Sequence, residues 1–77
     1  MSTILMLNQS GAWRHVISFE SDCLDNVHRY APLLVLRSGN VTAKLKICEA
    51  INNHDGHGLK AGKVLENWTL QHGWIQA

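Results

Sequence analysis

The sequence predicts an α+β domain: a two-layer ββαββ sandwich whose four-stranded, mainly antiparallel sheet carries one helix, about residues 22-38, on one face. Three observations predict it. Residues 40–50 alternate, with Val41, Ala43, Leu45 and Ile47 on one side and Thr42, Lys44, Lys46 and Cys48 on the other, the pattern of a half-buried strand. Leu24, Val27, Ala31, Leu34 and Val35 recur instead at helical spacing. Two strand-like runs precede the helix, joined by a short loop that contains Gly11, and read as a hairpin.

Residues 2–8 form the first strand and end at the turn signal Asn8-Gln9-Ser10-Gly11. Residues 12–20 form the second, with Trp13, His15, Ile17 and Phe19 on one face and Arg14, Val16, Ser18 and Glu20 on the other. Ser21 and Asp22 open the helix, because either side chain can accept from the free amides of the first turn. Asp22 and Asp25 suit the positive end of the helix dipole, and Gly39 can close the other end in a left-handed conformation. Pro32 opposes a continuous helix, since it removes one hydrogen bond and crowds the preceding turn. Either the helix kinks there, or it stops near Tyr30 and residues 33–37 become a strand. Helical spacing continues across the proline and only Val35 in that run is β-branched, which favours the kinked helix. Its second half is then apolar nearly all round.

The strand over residues 40–50 follows, and the helical connection allows it to lie parallel to a neighbour. Residues 51–62, rich in Gly and Asn, read as a long loop. Residues 63–70 form the last strand, with Val64 and Trp68 on one face. Gln71-His72-Gly73 turns, and Trp74-Ile75 is a tail that packs back.

The 77 residues make a single domain, residues 1–77, that buries about 60–65% of its unfolded surface. No secretory signal and no membrane span stand out, so a cytoplasmic setting with free Cys23 and Cys48 is expected. A net charge of +1 lacks the basic excess typical of nucleic-acid binders.

Several clusters contain residue types that can carry chemistry. His54 and His57, with Cys48 upstream, supply candidate zinc ligands, but their spacing matches no zinc signature. Cys48 beside Lys44 and Lys46 has a lowered thiol pKa in principle, yet nothing positions a base. Residues 58–63 lack the spacing and the Ser or Thr of a phosphate loop. No enzyme and no cofactor are therefore expected. Arg14, Lys44 and Lys46 could form a basic sheet face for single-stranded nucleic acid, although Trp13 and Trp68 read as core rather than as stacking platforms.

The surplus of apolar residues is the more telling feature. Tyr30, Leu33 and Leu36 on the helix, with Trp74 and Ile75 in the tail, are more than so small a core can hide. The expected function is a small non-enzymatic protein-interaction module and homodimer that acts by binding another protein through those five residues. By analogy of size, an accessory or inhibitory protein of phage or mobile-element type would fit. The alternative is a nucleic-acid-binding module on Arg14, Lys44 and Lys46, and the third reading a metal-binding module on His54, His57 and Cys48.

Overall fold

The computed structural model describes residues 2–9, 11–40, 42–52 and 59–77. Five strands are described: β1 (Ser2–Asn8), β2 (Trp13–Glu20), β3 (Lys44–Asn52), β4 (Leu59–Thr69) and β5 (Gly73–Gln76). They form one sheet in the order β2-β1-β3-β4-β5, and every neighbouring pair is antiparallel. Between β2 and β3 come a 3-10 turn (Ser21–Cys23) and two helical segments, α1 (Leu24–Tyr30) and α2 (Pro32–Ser38). The α+β class and the helical layer agree with the sequence reading; the strand count does not. Residues 73–76 are a fifth strand, with Ile75 opposite Asn67 and Trp74 opposite Trp68. Gly73, at φ 69°, permits the tight turn that folds this tail onto the free edge of β4.

Residues 33–37 are helical, so the strand alternative is not adopted. The helix runs on through Ala31, whose own dihedrals are helical. Pro32 takes the first position of α2, where a missing N–H costs least. Gly39 closes α2 at φ 72°. Asn40 then organises the exit: its side-chain carbonyl accepts from the Thr42 amide and hydroxyl, and its Nδ2 donates to the Gln9 carbonyl.

β3 begins at Lys44, later than alternation suggested, because the Ala43 amide still bonds back to the Asn40 carbonyl in a turn. The long loop expected over residues 51–62 is shorter, since Ala50, Ile51 and Asn52 pair with Ala61, Lys60 and Leu59. Gly62 makes this possible: the Ile51 side chain lies where a Cβ on Gly62 would sit.

Three register shifts interrupt the sheet, and two of them decide the faces of the candidate site residues. Leu5 pairs with Ile17 and Met6 with His15, which leaves Val16 as an extra residue in β2. Ile47 pairs with Glu66 and Cys48 with Val64, which leaves Leu65 extra in β4. Each bulge reverses which side the following residues occupy. Trp13 and His15 therefore lie on the open face of the sheet, while Ile17 and Phe19 lie under the helix. Likewise Val64 shares with the buried Cys48 the face opposite to Trp68. The assignment of Trp13 to the core, and of Val64 and Trp68 to one face, is corrected on this ground.

The core joins Leu5, Leu45, Ile47 and Trp68 of the sheet to Ala31 and Val35 of the helix. Leu45 and Ile47 have no solvent exposure.

Candidate docking groove

The helical layer sits over the middle of the sheet, where Ala31 and Val35 meet Leu45 and Ile47. Strand β2 is at the edge and extends beyond that cover. A groove of about 870 Å³ opens between them. Leu5, Ile17 and Phe19 line it from the sheet, and Val27, Tyr30 and Leu34 from the helix. Glu20, Asp22 and Asn26 add polar groups to its lining. The bulge at Val16 contributes directly, because it turns Ile17 onto the helix side without enough helix above to bury it. Ile17 is 52% exposed and Tyr30 56% exposed. Alternation had set Ile17 on one face with Trp13 and Phe19, and helical spacing had set Leu34 on the apolar face of the helix; both are exposed.

The five residues expected to bind a partner do not form one patch. Tyr30 lines the groove. Leu33 is exposed on α2, and Leu36 is exposed beside Gly39 and Leu70 at the far end of α2. Ile75, opposite Asn67, is on the open face. Trp74 is taken up inside the fold: its indole N–H donates to the His28 carbonyl at 3.0 Å, and its ring centre is 4.9 Å from the His28 ring. His28 Nε2 in turn lies 2.8 Å from Glu66 Oε2, tying α1 to β4.

The basic cluster is also divided. Lys44 and Lys46 pair with Asn8 and Met6 on the open face, whereas Arg14 pairs with Leu7 and falls on the helix side. The Lys46 ammonium stands 4.2 Å from the centre of the Trp13 ring. A separate recess of about 550 Å³, lined by Lys44, Thr69 and His72 among others, lies at the end of the β3–β4 pair.

Cys48 is fully buried, and burial pushes its thiol up by more than the Lys46 charge lowers it. Asp22 raises the exposed Cys23 thiol. Neither is the direction that activates a thiolate nucleophile. Both cysteines are free. His54 and His57 lie outside the described residues. Among the described residues no three His, Cys, Asp or Glu side chains converge as metal ligands, and no helix is long and apolar enough to cross a membrane.

Comparison with protein-family models, with characterised proteins and with solved structures finds no counterpart for this chain.

Proposed function

We propose that this chain is a small non-enzymatic protein-interaction module that docks a protein partner in the groove between β2 and the helix. One observation carries the proposal: an apolar groove lies directly beside β2, which among the described residues pairs on one side only. Such an edge offers backbone donors and acceptors to an added strand, whose alternate side chains would enter the groove. Exposed aromatic and aliphatic side chains clustered in this way are the usual anchors of protein interfaces. The two free thiols suit a reducing compartment such as the cytoplasm.

The test is affinity capture with wild-type chain as bait, followed by reconstitution of the captured complex from purified components. Leu34→Glu and Tyr30→Ala should abolish the reconstituted complex, and Ile75→Glu, on the opposite face, should leave it intact. Loss with Ile75→Glu but not with the groove variants would move the site elsewhere.

A second reading is favoured by the position of Trp13. With Lys44 and Lys46 it shares the open sheet face, where an aromatic ring and positive charge can hold a single-stranded nucleic acid. Fluorescence polarisation with a labelled single strand tests this: binding should weaken with added salt and with Trp13→Ala. An unchanged signal at low salt would eliminate the reading.

A further inference from the structure

We infer that the recess at the Lys44 end of the β3–β4 pair binds a phosphomonoester, a small molecule that carries a terminal phosphate on a compact apolar body. The site is separate from the groove beside β2 and independent of it.

Charge is segregated along the strands. Lys44 is level with Asn8 and Thr69, and Lys46 with Met6 and Asn67. Arg14, opposite Leu7, lies at the same end on the other face. Arg37 is in the last turn of α2, which reaches this end because Asn40 bonds the Gln9 carbonyl. The acids lie elsewhere. Glu20 and Glu49 are level with Ser2 and Thr3 at the far end, where Asp22 and Asp25 open the helical layer. Glu66, opposite Ile47, is held by His28. Among the described residues no carboxylate lines the recess or pairs with Lys44. The net charge of +1 conceals this positive pole, which draws anions toward it.

The recess supplies donors to match. Its volume of about 550 Å³ is that of a small-molecule site. Lys44 brings an ammonium, Gln71 an amide and His72 an imidazole. The Thr69 hydroxyl oxygen accepts from the His72 amide at 3.3 Å, which leaves the hydroxyl proton to donate. Thr42, whose hydroxyl donates to Asn40, offers none. Ala43 and Leu70 give the recess an apolar wall for the body of the ligand. A phosphomonoester presents three acceptor oxygens and close to a double negative charge. A backbone diester has fewer free oxygens and a single charge, and would leave part of this donor set unused.

Titration of isotope-labelled chain with phenyl phosphate, followed by two-dimensional NMR, tests the site. Amide signals of residues 42–44 and 70–72 should move and saturate. Lys44→Gln should raise the Kd about tenfold, and Thr69→Val should raise it by a smaller factor. The dispersion of the remaining signals reports that each variant is folded. Lys60→Gln, far from the recess, should bind as wild type, and so should Lys46→Gln, which would instead weaken a single strand held against Trp13. Movements that never saturate, or that spread equally to Lys60 and Lys63, would overturn the site. Unchanged affinity in Lys44→Gln would do the same. Dimethyl phosphate bound as tightly as phenyl phosphate would overturn the monoester and assign Lys44 to the nucleic-acid reading.

Discussion

The indole N–H of Trp74 donates to the carbonyl oxygen of His28, at 3.0 Å, the acceptor that Pro32 leaves without its helical donor. In an uninterrupted helix that carbonyl would receive the amide four residues on, and here that residue is proline. The fifth strand therefore does more than extend the sheet. It supplies the hydrogen bond that lets the helix pass through Pro32 without stranding a polar group.

This relationship predicts an energetic coupling between residues 32 and 74. Trp74→Phe keeps an aromatic ring but leaves the His28 carbonyl short of its donor, and should cost about 1–3 kcal/mol. Pro32→Ala restores the amide. In the Trp74→Phe background it should recover part of the loss, with a coupling energy of about 1 kcal/mol in a double-mutant cycle measured by urea unfolding. Strict additivity would mean that the indole bond does not serve the broken helix.

Cys48 should make stability depend on alkaline pH. Burial holds its folded pKa above the ordinary value. The folded chain therefore keeps the proton where the unfolded chain, with a thiol pKa of about 8.5, begins to lose it. Stability is complete below that pH and falls as pH rises toward the folded value. Cys48→Ala should flatten the alkaline decline. The Cys23 shift comes chiefly from its neighbour Asp22, which stays adjacent on unfolding, so Cys23→Ala should change the slope little.

Thiol labelling follows the same division. Cys23 is exposed and should react in the native protein, though slowly, because Asp22 disfavours its thiolate. Cys48 should react only as fast as the chain opens. Mass spectrometry after timed alkylation reads both; equal rates under native conditions would contradict the buried position.

Two isoleucine and leucine positions should separate groove from core. Leu45 is fully buried, and Leu45→Ala should cost about 2–5 kcal/mol. Ile17 is half exposed, and Ile17→Lys should change monomer stability by no more than about 0.5 kcal/mol. Unfolding of dilute protein provides the comparison. A large loss at Ile17 would mean that the groove is closed in solution.

The Lys46 ammonium over the Trp13 ring should contribute about 0.5–1 kcal/mol. Lys46→Gln should lower the unfolding midpoint and shift tryptophan emission. Lys44→Gln serves as the control, since Lys44 pairs with Asn8 and Thr69 along the same face. Equal effects from the two would remove the ring contact as the cause.

Much of the architecture was legible in local pattern. Helical spacing carried the helix through Pro32, Gly39 announced its end, and alternation marked Leu45 and Ile47 as core. Each of these depends on neighbours in the chain, where period and turn chemistry speak directly. The apolar surplus of the helix also pointed toward an exposed surface, and Tyr30 does line the groove. The fifth strand was less visible, because four residues are too few for alternation to show.

What only tertiary structure decided is which face each residue takes. A bulge adds one residue to one strand and leaves the alternation in the sequence intact, yet it exchanges the two sides of everything beyond it. The extra Val16 places Trp13 with Lys46 in the open and parts Arg14 from the two lysines. It also sets Ile17 beneath a helix that does not reach far enough to cover it. Whether a strand bulges depends on its partner's register, and where a helix stops covering a sheet depends on packing between layers; neither is a property of any one stretch of chain.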